Sequence, residues 1–270
     1  MKDYIKCIMM AGVWGIFQSI YYLGENDAVV LSNIILDCSI SSQGFLPVYL
    51  IEATRKMMPL FVFQILFGTK VYRNFCVASV YYFSRCLKRV QWFVKEAMKL
   101  LGLSVLYNVL IPIIVIGITS LHHSIEWNRE GIILFFYFVF IQSLWLFFTT
   151  LMMNLIAIKV GSQNAFLVMS MVQLALITML FLWEKVLPLE DSDQIARNAF
   201  LLKCNLISHL FLNWHSSRYE AVNRMICHFE FSFDLNLSVI AFAVLSGLVF
   251  AIGCFIIKRH DLLISNAEIE

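Results

Sequence analysis

The stretch that decides the fold is GIILFFYFVFIQSLWLFFTTLMMNLIAI, residues 131–158, which contains no Asp, Glu, Lys, Arg or His. An α-helix rises about 1.5 Å per residue and the hydrocarbon core of a bilayer is about 30 Å thick, so about 20 apolar residues cross it. The length of this stretch and its lack of charge therefore predict a transmembrane helix.

The whole chain has the composition that such a helix implies. Of its 270 residues, 60% are hydrophobic and 14% are charged, and the mean hydropathy is +0.79. Soluble domains are roughly 45–50% apolar and 25% charged, so a soluble fold is excluded. We predict an all-α, polytopic membrane protein with one transmembrane domain over residues 1–270. Its six spans lie at approximately 7–24, 48–69, 100–121, 131–156, 162–183 and 236–257.

Charges interrupt only the second of these predicted spans. Glu52, Arg55 and Lys56 lie inside or beside it. Charged side chains are costly in hydrocarbon unless they reach the interface or pack against protein. We therefore expect these three to lie at an interface or to face protein.

Basic residues predict the orientation, because loops in the cytosol are enriched in Lys and Arg. Residues 70–99 contain seven bases and the single acid Glu96. This loop is therefore expected in the cytosol, as are both termini. The loop at 187–235 is then outside, where its apolar residues suit a helical or re-entrant segment, although a lid packed on neighbouring helices is the favoured interpretation.

Five uncharged amides are the polar groups that stand out within the predicted spans. They could line a modest polar path, although hydrogen bonding between helices is the favoured role. They are Gln18, Asn108, Gln142, Asn154 and Gln173.

No catalytic residues, metal ligands or cofactor site are predicted for this chain. The spans hold almost no ionisable residues, and nucleotide-binding and hydrolase motifs are missing from the sequence. The outer His and Cys residues do not have the spacing of a metal site. Cys204 and Cys227 could form a disulfide outside the cell. A net charge of +2 gives no reason to expect a nucleic acid partner.

The layout resembles the permease subunit of an ATP-binding cassette exporter of the ABC-2 type, also called type V. The shared features are six spans, cytosolic termini, a basic loop between spans two and three, a tight turn at 159–164 and an outer helical segment before span six. Phe67-Gly68 to Tyr72-Arg73 looks like the exit of the second span. Ser84-Arg85, followed by Lys95, looks like the short Ser-Arg stretch of that family.

The resemblance implies that the cytosolic loop at 70–99 couples the chain to a separate ATPase. That partner would bind the ATP and Mg²⁺, and a second permease, identical or related, would complete the translocation path. The expected location is the plasma membrane of a bacterium, and the expected cargo is a peptide, such as an antimicrobial peptide, or a lipid-like molecule. The candidate coupling residues are Tyr82, Ser84, Arg85, Lys88 and Arg89.

Two other functions remain open from the sequence. One is an immunity or sensor protein that binds a peptide through its outer loop without ATP hydrolysis. The other is a membrane enzyme acting on lipids, which would depend on the outer residues His209, His215, Glu220 and His228.

Overall fold

The computed structural model describes residues 2–24, 28–39, 46–76, 89–186, 200, 203–226 and 233–259, and these are mostly helical, as predicted. The helices are α1 Lys2–Ser19, α2 Leu31–Cys38, α3 Leu46–Phe67, α4 Lys70–Cys76, α5 Arg89–His122, α6 Arg129–Val160, α7 Ser162–Val186, α8 Glu220–Ile226 and α9 Leu235–Arg259. Short 3-10 turns lie at Ile20–Gly24, Ser208–Leu210 and Leu212–Trp214.

Two pairs of very short strands join distant parts of the chain. Strand β1, Val29–Val30, pairs in parallel with β2, Ile125–Glu126. Strand β3, His215–Ser216, pairs in parallel with β4, Phe233–Asp234. Both pairs lie in the segments that connect the long helices, so they hold these connecting segments in place.

Four of the described helices are long and apolar enough to cross a membrane. They are Arg89–His122, Arg129–Val160, Ser162–Leu180 and Leu235–Arg259, which confirms a long apolar helix at each of the third to sixth predicted spans. Helices α1 and α3 occupy the positions of the first and second predicted spans. Each also carries three charged residues, namely Lys2, Asp3 and Lys6 in α1 and Glu52, Arg55 and Lys56 in α3.

Helix α5 begins well before the predicted third span. It runs without a break through 34 residues from Arg89, whereas the apolar run begins near residue 100. Residues 89–99 contain neither Gly nor Pro, and Lys99 lies 3.7 Å from Glu96 one turn earlier. Nothing in this part of the sequence stops a helix, so the last third of the basic loop is a rigid extension of a span.

Helix α6 lies at the centre of the packing. It contacts α2, α3, α4, α5, α7, α8 and α9, and its apolar stretch is the most buried among the four candidate spans. Trp145 and Leu146 of this helix are almost completely buried. Helix α1 packs along α5, where Gly15 allows close approach, since a Cβ there would lie 2.7 Å from Ile114.

The described helices define two ends of the protein. At the basic end, the start of α1 meets α4 and α5, because Asp3 pairs with Lys70 and lies 3.9 Å from Lys99. At the strand end lie β1 to β4 and the segment 203–226. The first described helix starts, and the last one ends, at the basic end.

Candidate functional site

Of the five candidate coupling residues, only Arg89 lies among the residues that the structure describes. Tyr82, Ser84, Arg85 and Lys88 lie outside the described residues, so their role stays a prediction. Arg89 is the first residue of α5 and is partly buried. Because α5 is continuous, Arg89 belongs to the same rigid element as the apolar span that follows.

The structure places Asn154 at the corner between α3 and α4. Its Nδ2 donates to the carbonyl of Phe67 at 3.1 Å and to Thr150 at 2.8 Å, and its Oδ1 accepts from the backbone N–H of Tyr72 at 3.1 Å. The last carbonyls of one helix and the first N–H groups of the next lack partners within their helices. Asn154 therefore satisfies both helix ends and binds the corner to α6.

Gln173 pairs with a second glutamine that the sequence analysis did not select. Its Nε2 donates to Gln64 Oε1 at 2.9 Å, and Gln64 Nε2 in turn donates to Gln173 Oε1 at 3.3 Å and to Thr149 at 2.9 Å. All three side chains are almost completely buried. The reciprocal amide pair joins α3 to α7, and the threonine adds α6.

Asn108 makes a third polar contact between helices. Its Nδ2 donates to the Ser104 carbonyl at 2.9 Å, one turn earlier, and to Ser143 Oγ at 3.3 Å in α6. Hydrogen bonding between helices is therefore confirmed for Asn108, Asn154 and Gln173. These residues share no hydrogen bond with one another and lie in separate clusters.

Gln18 and Gln142 differ from the other three amides. Both are buried, and neither carbonyl oxygen has a hydrogen-bond partner among the residues the structure describes. Gln18 lines a cleft of about 10 Å³ with Cys38 and Lys56, which is room for about one water molecule. These two amides keep an acceptor that a bound molecule could use.

Two of the charges that interrupt the second predicted span, Arg55 and Lys56, contact protein, as the sequence led us to expect. Lys56 is 6% exposed, and the Arg55 guanidinium lies 5.2 Å from the centre of the Tyr21 ring. Nearby, the hydroxyl of Tyr22 donates to Asp37 Oδ2 at 2.5 Å. The cluster lies towards the strand end, where it joins α1, α2 and α3.

Two buried histidines share one serine beside the strands. His209 Nδ1 and His215 Nε2 both lie 2.8 Å from Ser238 Oγ, and the remaining ring nitrogens contact the carbonyls of Lys203 and Phe211. Each neutral ring carries one N–H and the serine one O–H, so three of these four contacts can be hydrogen bonds at the same time. Burial lowers the pKa of both histidines, that of His215 to about 4, so both rings are neutral near pH 7.

The segment predicted to lie outside is a packed lid in its described part, residues 203–216. Leu210 and Trp214 are buried in two single turns of 3-10 helix, and Ile207 and Phe211, which precede these turns, are buried too. This favours the lid over a re-entrant helix for residues 203–216. Among the other apolar residues of the loop at 187–235, Phe200 is exposed, while Ile195 and Leu201 lie outside the described residues.

The His and Cys residues of the predicted outer segment are described only in part. Within the described ranges, no three or more His, Cys, Asp or Glu side chains lie close enough to hold a metal ion. Cys204 is exposed, and Cys227 lies outside the described residues, so their pairing stays a prediction.

A basic cavity lies at the other end of the protein. It measures about 410 Å³, and its charged lining consists of Lys6, Lys70, Arg73 and Asp3. The ion pair with Lys70 lowers the pKa of Asp3, so this carboxylate is charged at neutral pH. Three bases against one acid leave the cavity with two excess positive charges.

Neither a family model, nor a curated protein, nor a solved structure matches this chain. The layout of the helices and the geometry of the polar sites are therefore the observations that bear on function.

Proposed function

We propose that this chain is the membrane-spanning permease subunit of an ATP-binding cassette exporter, with six spans and both termini in the cytosol. A separate ATPase would dock on the loop at 70–99, and a second permease would complete the path for a peptide or lipid-like cargo. The basic end of the protein would then face the cytosol. The support is the resemblance of the layout together with the geometry of α5.

The observation that carries the proposal is the length of α5. Its 34 residues correspond to about 51 Å, about 20 Å more than the hydrocarbon core. The apolar part begins near residue 100, so the excess lies at its start, where Arg89, Lys95 and Lys99 are found. An ATPase that moved this extension would move the first half of the span with it, because the helix is continuous between them and its proline, Pro112, lies further along.

The described surface leaves room for a second permease. Helix α9 exposes Ile240, Val244, Leu248, Ile252 and Phe255, which recur every three or four residues. This spacing puts them on one helical face. The face can lie against lipid or against a second set of spans, and the proposed path between two permeases requires such a free apolar face.

The test is purification from the native membrane, with ATPase association and cargo export as readouts. We expect a nucleotide-binding subunit to accompany the chain and to be lost when Arg85, Lys88 and Arg89 are all changed to Glu. The matched control changes Lys258 and Arg259 to Glu, which alters charge at the same end but outside the loop. It should retain the partner.

The proposal fails if no ATPase accompanies the chain and the triple reversal leaves export intact. Protection against a peptide without any ATPase would instead favour the immunity or sensor protein.

A further inference from the structure

The basic cavity is built at a fixed place in the fold. Its walls come from the start of α1, the last turn of α3 and one face of α4, which contributes Lys70, Arg73 and Asn74. Asn154 bonds to Phe67 and Tyr72 on either side of the corner between α3 and α4, so the corner is bound to the central helix. The position of the cavity is therefore determined by buried contacts and not by surface side chains alone.

The charged side chains of the cavity differ in whether they have an ion-pair partner. Lys70 pairs with Asp3 and also lies 5.8 Å from the centre of the Phe67 ring. Lys6 and Arg73 are exposed, and neither has a carboxylate partner within the part of the chain that the structure describes. Two cations in one cavity thus remain available to an anion.

The apolar surroundings indicate which kind of anion fits. Leu66 and Phe67 line the cavity beside the bases. A soluble anion or an acidic protein side chain would not need this apolar surface, whereas a phospholipid needs both a basic site for its phosphate and an apolar wall for its chains. A volume of about 410 Å³ falls in the usual range of ligand pockets, about 300–1,000 Å³.

We propose that this cavity is a binding site for the headgroup of an anionic phospholipid, with Lys6 and Arg73 holding the phosphate. Basic pockets between membrane helices on the cytosolic side are suited to such headgroups. Asp3 limits the affinity, because it neutralises Lys70 within the same cavity. The proposal requires that the protein lie in a membrane and is independent of any ATPase.

The experiment titrates dioleoyl phosphatidylglycerol into the full-length protein in a non-ionic detergent and counts bound lipids by native mass spectrometry. Dioleoyl phosphatidylcholine, with the same chains and no net charge, is the comparison lipid. We expect the double variant K6Q/R73Q to bind phosphatidylglycerol about 30-fold more weakly, at about fivefold for each base. The matched control K258Q/R259Q removes two bases at the same end and should bind as the original protein does.

A third variant moves the affinity in the opposite direction, which loss of folding cannot do. D3N removes the carboxylate and releases Lys70, so phosphatidylglycerol should bind about fivefold more tightly. Thermal unfolding of each variant in the same detergent shows whether it is folded.

Four results would overturn the proposal. Equal weakening in K6Q/R73Q and K258Q/R259Q would show only diffuse attraction, and equal affinity for the two lipids would show that charge is not recognised. Full competition by inorganic phosphate at millimolar concentration would identify a site for free phosphate. Unchanged lipid binding in K6Q/R73Q, with loss of a co-purifying protein, would identify a protein docking surface.

Discussion

Replacing Asn154 with Leu should destabilise the protein more than the same change at Asn108. The variant N154L leaves the carbonyl of Phe67 and the N–H of Tyr72 without their side-chain partner. Both groups lie at helix ends, where the helix itself offers no replacement. Asn154 is 1% exposed, so water does not readily take its place.

The magnitude follows from these two groups. A buried polar group left without a partner costs about 1–3 kcal/mol, so the two groups exposed by N154L should lower the free energy of unfolding by about 2–6 kcal/mol. In N108L the Ser104 carbonyl that loses the amide already lies inside a helix, and the contact with Ser143 is long at 3.3 Å. Its cost should be near the average of about 0.6 kcal/mol for a hydrogen bond between membrane helices.

The assay is reversible unfolding of each variant in mixed micelles, with helix content as the signal. Asn and Leu have the same number of side-chain heavy atoms with the same branching, and the change is the same in both variants, so the difference between them isolates the helix-end bonds. A difference of less than about 0.5 kcal/mol between the free energies of unfolding of the two variants would be too small for two unpaired helix-end groups. Such a result would show that Asn154 does not hold the corner between α3 and α4.

Two further predictions concern other buried polar contacts. Because the folded state lowers the pKa of His209 and of His215 while an unfolded histidine titrates near 6.5, the unfolded state binds more protons below that pH. The free energy of unfolding should therefore fall as the pH is lowered from about 6.5 towards 4. In H215Q, unfolding measured at a series of pH values should show a smaller fall. An equal fall in H215Q would contradict the role of His215 in this pH dependence. For the amide pair, a double-mutant cycle of Q64L and Q173L should give a coupling energy of about 0.6–1.7 kcal/mol in the same unfolding assay, and a value near zero would show that the reciprocal bonds contribute nothing.

The sequence predicts the long helices well, because length and absence of charge are enough to identify them. The four helices at residues 89–122, 129–160, 162–180 and 235–259 cover the third to sixth predicted spans. The start of α5 was less predictable. The apolar run begins near residue 100, but the helix begins earlier, at Arg89, because the charged residues before the run also have good helix propensity.

For the buried polar contacts, the sequence predicts the amide side chains but not their partners. The five amides could be selected as isolated polar residues within apolar runs, and Gln64 carries the same signal in the shorter run at 57–69. Their partners were not predictable, because the Phe67 carbonyl and the Tyr72 N–H are backbone groups that carry no mark in the sequence. Likewise, the cavity combines Lys6 with Arg73, which are distant in sequence and meet only after α1 packs beside α4.

The hydrogen bonds also decide which amides can contact a cargo. Asn154 and Gln173 use both their donor and acceptor atoms inside the protein, so binding a passing molecule would require breaking a bond that holds helices together. The carbonyl oxygens of Gln18 and Gln142 have no partner among the described residues. A ligand that donates a hydrogen bond would satisfy them at no such cost. If a polar path exists in this protein, it should therefore pass Gln18 or Gln142 and avoid Asn154 and Gln173.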